Sequence, residues 1–271
     1  MENLKTKYLI VLIHGAGFRD LKWPLYWGRI PKVLTQNGVV LFYGQQDSWG
    51  CVEDNAQALK ARIADLLAQT GAEKVNLIAH SKGGLEARMV ASSLGFGAHI
   101  ASITTIGTPH HGSKTIDKLL TLPAWLFHIA AFVVNHWIKL FGDTRPDFFT
   151  VCKGFTTQYC TQFNERNPDA PGVFYQSYAG IMKGSLSDVS LWLTYLVVKA
   201  IEGKNDGLVT VESAQWGESF TVLKGSGLRG ISHCDEIDLR RKPISGKAGD
   251  GVRDICEVYK QIVADLKARN L

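Results

Sequence analysis

A serine in a glycine-rich turn is the first feature of this sequence that could do chemistry. Residues 79–84 read AHSKGG and stand directly after the apolar run VNLI and before the helical run LEARMVASSL. On a sharp strand-to-helix turn, a serine hydroxyl lies at the N-terminal end of the helix, where developing negative charge is stabilised. The pattern differs from G-x-S-x-G at Ala79, which is still a small residue. We predict that Ser81 is a nucleophile, although the motif alone also fits an ordinary serine in a turn.

A serine hydroxyl becomes a good nucleophile only when a base removes its proton, so a histidine and an acid that orients it are needed. In α/β-hydrolases the acid follows the serine along the chain and the histidine comes last. Of the eight histidines, only His233, in GISHCDEID, follows every plausible acid-bearing loop. The polar turn KNDGLV at 204–209 makes Asp206 the favoured acid. The alternatives that we keep for the acid are Asp188, Glu202 and Glu212.

Acyl transfer also needs two hydrogen-bond donors directed at the negatively charged oxygen of the tetrahedral intermediate. The first apolar run ends in HGAG at 14–17, a turn whose backbone N–H groups can face the same cleft as the serine. We expect the two donors to be the N–H groups of Ala16 and of Lys82, the residue after the serine. Both are main-chain groups, so the identity of either side chain does not decide the prediction.

The spacing of apolar side chains indicates which elements position these residues. Near-continuous apolar runs, typical of a sheet buried on both faces, cover residues 8–14, 39–44, 75–80, 101–107 and 174–180. Helical spacing separates several of them, and the last 20 residues have the pattern of an amphipathic helix. This alternation predicts an α/β fold with a mostly parallel, doubly wound sheet and helices on both faces. We expect a single domain over residues 1–271, with a helical insertion at 114–170.

The predicted insertion contains a long apolar stretch. Residues 119–138 include 20 positions without Asp, Glu, Lys or Arg, the right length for a membrane span. On a helix, its polar members His128, Asn135 and His136 share one narrow stripe with Lys139. This favours a cap over an apolar cleft, or a helix on a membrane surface, over a transmembrane helix. We expect a lid whose substrate-contacting residues are Trp125, Phe127, Phe132 and Trp137.

Composition narrows the possible classes of function. The chain has 271 residues, 45% of them hydrophobic, and its 30 Lys and Arg residues exceed its 25 Asp and Glu residues by five. This composition is typical of a globular protein and not of a disordered one. The longest basic run is Arg240 to Lys242, so we do not expect nucleic-acid binding.

The cysteines and the N-terminal residues bear on the compartment. The five cysteines are an odd number without a C-x-x-C pair, which argues against a zinc site or a complete disulfide framework. We expect Cys152 and Cys160 to share a helix, about 12 Å apart and too far to bond. The apolar run near the N-terminus is too short for a signal peptide. We therefore expect a cytoplasmic protein, with secretion by a signal-less route or as a trimmed mature chain as the alternative.

Several segments together resemble one protein family. They are KYLIVLIHGAGF, YWGRIPKVL, VNLIAHSKGGLEAR, TIGTPHHGS, GFTTQYCTQFNERNP, NDGLV with a following WG, and HCDEID, in this order over most of the chain. They are similar to the true bacterial lipases of the Pseudomonas, Burkholderia and Proteus type. The resemblance implies an α/β-hydrolase fold, hydrolysis of acylglycerol esters without a cofactor for catalysis, a mobile lid, and the triad Ser81, Asp206 and His233.

The resemblance also implies a structural calcium ion. Two aspartates would hold it, one ahead of the triad acid and one two residues after the histidine, and Asp188 and Asp235 match these places. Carboxylate oxygens suit a hard cation, and the backbone carbonyls of Leu239 and Pro243 would complete the set. As an alternative, Asp188 only caps a helix. The chain departs from the family in the loop at 240–250, and it lacks a cysteine needed for the disulfide of some members.

These observations together predict a serine carboxylester hydrolase, and specifically a lipase. Its partners would be a lipid or another acyl ester and, transiently, a lipid surface. An esterase, thioesterase or polyester hydrolase with the same triad is the alternative among enzymes, because the sequence does not fix the depth of the acyl pocket. A membrane-associated binding protein with a decayed triad is the alternative from another class.

Overall fold

The computed structural model describes residues 3–20, 25–140, 142–246 and 249–271, and it leaves some side chains of the helix Ala124–Leu140 undescribed. In this part of the chain, six strands form one sheet in which all neighbouring strands are parallel. The strands are β1 Leu9–Ile13, β2 Leu41–Tyr43, β3 Val75–His80, β4 Ile100–Ile106, β5 Phe174–Ile181 and β6 Ser219–Lys224. The predicted parallel sheet is confirmed, and each predicted interval overlaps an observed strand.

The strand order brings two of the predicted motifs to one place. The order is β2-β1-β3-β4-β5-β6, so the chain winds outward from β1 to β2 and then crosses back to β3. In open α/β sheets, ligands bind in the crevice at the carboxyl ends of the strands where this winding reverses. Here those strands are β1 and β3, which lead into the HGAG turn and Ser81 respectively.

Helices cover both faces of the sheet. Within the described residues they are α1 Ile30–Gln36, α2 Val52–Thr70, α3 Lys82–Ala91, α4 Lys114–Leu119, α5 Ala124–Leu140, α6 Phe148–Lys153, α7 Thr157–Arg166, α8 Trp192–Ile201 and α9 Ile255–Ala268. Alternate strand residues point to opposite faces. Ile10 and Leu12 accordingly pack with α1 and α9, whereas Val11 and Ile13 pack with α2 and α3. The HGAG turn and the Ser81 turn thus follow strands of a sheet that has a separate apolar layer on each face.

The region of the predicted insertion is helical. Helices α4 to α7 lie between β4 and β5, and α5 covers 17 residues. Among the described helices, none combines the length and the apolar character that crossing a membrane requires. The boundaries of the insertion, and its role as a lid, stay predictions.

Cys152 and Cys160 do not share a helix, so this expectation was wrong. Cys152 lies in α6 and Cys160 in α7, and both thiols are buried and free. Helix α6 ends at Lys153, and the side chain of Thr156 then accepts the Tyr159 N–H to cap the start of α7. A threonine cap of this kind stabilises a new helix start. Cys51, Cys234 and Cys256 are free as well.

Helix α9 offers a test of the layer that it forms with α1. Ile262 is fully buried in this layer, so Ile262→Ala should leave a cavity and lower the free energy of unfolding by about 2–5 kcal/mol. Urea denaturation measures this loss. Gln261→Ala, on the exposed side of the same helix, should change it by less than about 0.5 kcal/mol. Equal losses in the two variants would contradict the packing described.

Candidate active site

Ser81 lies on a strained turn between β3 and α3. Its backbone has φ 54° and ψ −129°, a conformation that non-glycine residues rarely adopt. Both of its peptide groups are held by the end of β4: the Ser81 N–H donates to the Ile106 carbonyl at 2.9 Å, and the Thr108 hydroxyl donates to the Ser81 carbonyl at 2.8 Å. The strained turn predicted from residues 79–84 is therefore present, and β4 fixes it.

Glycines allow the turn after β1 to approach the serine. A Cβ on Gly15 would lie 2.6 Å from the Ser81 Cβ, and a Cβ on Gly83 would lie 2.5 Å from the His14 carbonyl oxygen. Any larger residue at either position would push the two turns apart. The HGAG and AHSKGG segments therefore form one contact, although 65 positions separate Ala16 from Ser81 in the sequence.

Two backbone donors belong to these two turns and have no acceptor among the described residues. Lys82 is the first residue of α3, and the first N–H groups of a helix have no acceptor within it. Among the described residues, neither the Lys82 N–H nor the Ala16 N–H donates a hydrogen bond. Both groups are therefore available to a ligand atom beside Ser81.

Asp206 and His233 form a buried hydrogen-bonded pair. The His233 Nδ1 lies 2.7 Å from the Asp206 Oδ2, and the His233 N–H donates to the Asp206 carbonyl at 2.8 Å. The N–H groups of Leu208 and Val209 donate to the other carboxylate oxygen of Asp206. Because a carboxylate accepts the Nδ1 proton, this tautomer leaves Nε2 with a free lone pair.

The histidine ring lies beside the serine turn. The ring centroids of His233 and His80, the residue before Ser81, are 4.4 Å apart. A Cβ on Gly107, just after β4, would lie 3.1 Å from the His233 Cε1. The structure therefore pairs the acid and the histidine selected from the sequence and places this pair beside the turn that carries Ser81.

The other candidate acids lie elsewhere. Asp188 accepts hydrogen bonds from Ser190 and Ser232, and Glu202 accepts them from Ser113 and Thr115. Glu212 is exposed. Among the described contacts, none of the three touches His233.

Sequence reasoning missed a second carboxylate at His233. Glu236 is fully buried, and its Oε2 lies 3.0 Å from the His80 Nε2 and 3.5 Å from the His233 Nδ1. Its other oxygen accepts the Gly180 N–H at 2.7 Å. Burial raises the pKa of Glu236 well above its ordinary value, and the nearby charge of Asp206 adds to this. The signal was present in HCDE, because a residue three positions after His233 returns to the same side of a 3-10 turn.

Glu236 begins a hydrogen-bond chain that reaches the turn after β1. Burial lowers the pKa of His80 well below its ordinary value, so its ring is neutral. With the Nε2 proton directed at Glu236, the His80 Nδ1 accepts the Tyr26 hydroxyl proton at 2.6 Å. The Tyr26 oxygen accepts the Gly15 N–H at 2.9 Å. One chain of hydrogen bonds thus joins the histidine loop to the turn that carries Ala16.

A second buried network supports the other side of the contact. The Lys82 ammonium donates to the Glu86 carboxylate and to the Gly50 carbonyl, and both side chains are fully buried. Glu86 accepts a hydrogen bond from the Gln46 amide at 3.0 Å, and the same amide donates to the His14 carbonyl at 2.9 Å. Helix α3 is therefore linked to the HGAG turn by side chains as well as by close packing.

Comparison with known proteins agrees with this geometry. A model of the alpha/beta hydrolase fold matches residues 40–140. The triacylglycerol lipase of Vibrio cholerae is 31% identical over 261 residues, which cover 86% of this chain and 80% of the relative. The chain belongs to the triacylglycerol lipase family of α/β hydrolases. The triacylglycerol lipase 2 of Saccharomyces cerevisiae is 30% identical over 223 residues, but this chain spans only 63% of its length.

Solved structures share the fold. A metagenomic carboxyl esterase superimposes with a TM-score of 0.73 at 15% identity, covering 97% of this chain and 76% of the esterase. The mature lipase of Bacillus licheniformis gives a TM-score of 0.65 at 21% identity, covering 86% of this chain and 87% of the lipase. The predicted family, fold and enzyme class are confirmed. The protein is a carboxylic ester hydrolase of the lipase type, and its substrate is a lipid or another acyl ester.

The two aspartates matched to the family's calcium site lie close together, but their oxygens are already engaged. Ser232 joins them, because its hydroxyl donates to Asp188 at 2.7 Å and its N–H donates to Asp235 at 3.1 Å. Arg240 and Arg229 donate to the two oxygens of Asp235, and Ser190 donates to the remaining oxygen of Asp188. Among the described residues, no cluster of three ligand groups includes either aspartate. These residues do not fit a calcium ion.

The two backbone carbonyls predicted to complete the calcium site belong to residues that are less buried than the two aspartates. Leu239 is half-buried and Pro243 is exposed, whereas Asp188 and Asp235 are buried.

The predicted lid residues are on the surface. Trp125, Phe132 and Trp137 are 61%, 75% and 60% exposed. The side chain of Phe127 is outside the described residues. Among the described contacts, none joins the other three to Ser81 or His233.

Tyr26→Phe tests whether the hydrogen-bond chain positions the turn after β1. The change removes the acceptor of the Gly15 N–H and the donor to His80, and it leaves buried polar groups without partners, which should cost about 1–3 kcal/mol of unfolding free energy. We expect kcat to fall about tenfold or more with KM nearly unchanged, because the turn would act on the transition state.

Tyr8→Phe is the matched control, since this tyrosine is at the start of the sheet and its hydroxyl bonds to the exposed Lys7 side chain, outside the buried chain of hydrogen bonds. Wild-type kcat in Tyr26→Phe would show that the tyrosine does not position the turn.

Proposed function

We propose that this lipase hydrolyses acylglycerol esters, with Ser81 as nucleophile, His233 as general base and acid, and Asp206 as the residue that orients the histidine. The observation that carries the proposal is the buried Asp206–His233 pair, with Nδ1 and Oδ2 2.7 Å apart, beside the strained Ser81 turn. A proton held on Nδ1 by a carboxylate makes Nε2 the base. The N–H groups of Ala16 and Lys82 would serve as the oxyanion hole.

The reaction then has two halves. The His233 Nε2 removes the Ser81 hydroxyl proton as Oγ attacks the carbonyl carbon, and the negative charge moves to the carbonyl oxygen between the two N–H groups. When the carbonyl re-forms, the ester bond breaks and the leaving alcohol takes the proton from His233. Water then attacks the acyl-enzyme with His233 as base, and the same steps release the fatty acid and free Ser81.

Exposed apolar surface supports a lipid substrate over a small soluble ester. Besides Trp125, Phe132 and Trp137 in α5, a second group of large apolar side chains is 44–84% exposed near α8: Leu186, Val189, Trp192, Leu193 and Leu196. Helix α4, which precedes α5, packs against α8. The two apolar groups therefore lie on connected elements. Exposed apolar groups of this kind suit adsorption to a lipid interface.

We propose further that α5 is the moving part of a lid. The segment after it is firmly held: the buried Asp143 carboxylate accepts hydrogen bonds from the backbone and side chain of Ser48 and from the Trp49 N–H. Arg19 donates to the Gly142 carbonyl. Such an anchor would leave α5 free to pivot about its C-terminal end when its apolar side chains meet lipid.

Ser81→Ala tests the proposed nucleophile. Hydrolysis of a soluble p-nitrophenyl ester should fall by about 10⁴-fold or more, with an unchanged Tm, and a fluorophosphonate probe should no longer label the protein. Ser92→Ala, at the end of the same helix, is the control and should keep activity and labelling. Wild-type labelling of Ser81→Ala would exclude this serine as the nucleophile.

Phe132→Ser tests the lipid interface. The variant should lose about tenfold activity on emulsified long-chain triacylglycerol, because burial of one large apolar side chain in lipid contributes roughly 1.5–3 kcal/mol, and it should keep wild-type rates on a short soluble ester. Leu228→Ser removes a leucine that is 95% exposed outside both apolar groups, and it should affect neither substrate. If the wild type prefers soluble esters or thioesters at all chain lengths, the acylglycerol assignment is wrong.

A further inference from the structure

We propose that two arginines, Arg229 and Arg240, do in this chain the work that a calcium ion does in the lipases it resembles. Together with the buried Asp188, Asp235 and Ser232, these two half-buried side chains form a group that we call the arginine cluster. Calcium would neutralise the two aspartates and tie their loops together. In this chain, guanidinium groups provide both effects.

The contacts of the cluster are direct. The Arg240 Nε lies 2.7 Å from the Asp235 Oδ1, and the Arg229 Nη2 lies 3.4 Å from the Asp235 Oδ2. The same Arg229 nitrogen donates to the carbonyl of Ser187, the residue before Asp188. Asp235 is 3% exposed and Asp188 is 8% exposed. The arginines thus reach both aspartate segments at buried positions.

The charges of the cluster balance without a metal ion. Two carboxylates give −2 and two guanidinium groups give +2, and arginine does not lose its charge in proteins. Asp188 also accepts hydrogen bonds from the backbone and side chain of Ser190 and from the Ser232 hydroxyl. A divalent cation would therefore bring two uncompensated positive charges into a buried site, which is strongly unfavourable.

The buried atoms of the cluster that lack a hydrogen-bond partner are donors, and donors cannot bind a cation. Within the described residues, the buried polar atoms of the cluster that lack a partner are the Arg229 Nη1 and the Arg240 Nη2. Both are N–H donors, whereas calcium requires six to eight oxygen ligands. The cluster therefore has surplus donors, whereas all four carboxylate oxygens already accept a hydrogen bond.

The cluster holds the loop that carries His233. Ser232 and Asp235 lie on either side of the histidine, and the Asp235 N–H donates to the Ser232 hydroxyl at 3.1 Å. The Ser232 hydroxyl in turn donates to Asp188 at 2.7 Å. Loss of the arginines would leave two buried carboxylates facing each other across this serine, so the loop would open.

The first experiment uses the purified wild-type protein. Incubation with EDTA should change Tm by less than about 1 °C, and added CaCl2 should not raise it, because no bound ion contributes to the native state. Ester hydrolysis should likewise be unchanged by EDTA. A Tm that falls by several degrees in EDTA and recovers with CaCl2 would overturn the proposal, whatever the substrate of the enzyme.

The second experiment removes the guanidinium groups. Arg229→Gln with Arg240→Gln should lower Tm by about 6 °C or more, and CaCl2 should restore part of the loss because the two aspartates are then free to bind it. Lys242→Gln removes an exposed charge two residues away and should behave as wild type. Arg240→Lys keeps the charge and should lose less than Arg240→Gln.

Two results of the second experiment would contradict the proposal in different ways. A double variant with wild-type Tm would show that the arginines do not hold the loop. A destabilised double variant that calcium does not stabilise would refute the idea that the arginines stand at a cation position. If the double variant does not fold, the EDTA measurement on the wild type still decides the proposal.

Discussion

The strained backbone of Ser81 is the constraint on which the rest of the structure depends. A non-glycine residue at φ 54° and ψ −129° costs roughly 1–3 kcal/mol and persists only where its surroundings enforce it. Enforcement comes from hydrogen bonds to Ile106 and Thr108 at the end of β4, and from close contact with Gly15 at the end of β1. The turn is therefore held where three adjacent parallel strands end side by side. The order β1-β3-β4 in the sheet supplies this arrangement.

Two buried polar networks extend this constraint to the proposed oxyanion hole. One runs from Glu236 through His80 and Tyr26 to Gly15, and the other joins Lys82 and Glu86 through Gln46 to His14. Burying charged and polar groups is costly, so such networks add less to stability than to a unique geometry when all members are satisfied. Each network links the turn after β3 to the turn after β1. The two turns are thus positioned relative to each other from both sides.

The sequence predicted the elements that follow from local pattern. Continuous apolar runs predicted the buried strands, and the order of serine, acid and histidine selected Ser81, Asp206 and His233. The structure pairs Asp206 with His233 and places the pair beside the Ser81 turn. Their catalytic roles stay a prediction.

The positions of Cys152 and Cys160 were predicted wrongly, because apolar spacing does not reveal a threonine cap between them. Glu236 was missed because its role depends on a contact with His80, 156 positions away. The arginine cluster was missed for the same reason, since a charged residue on a loop ordinarily indicates a solvated surface.

The loop after His233 is also held by Arg29, which lies outside the arginine cluster. Asp238, five residues after the histidine, accepts hydrogen bonds from the backbone N–H, Nε and Nη2 of Arg29 at 2.7–2.8 Å. Arg29 also binds Asp254, just before α9, through Nη1 and Nη2. Since Arg29 lies three residues after Tyr26, these bonds fix the Tyr26 segment to the histidine loop. Glu236 and Tyr26 consequently approach His80 from segments that are themselves joined. The geometry of the site therefore depends on aspartate–arginine pairs that lie outside the reacting groups.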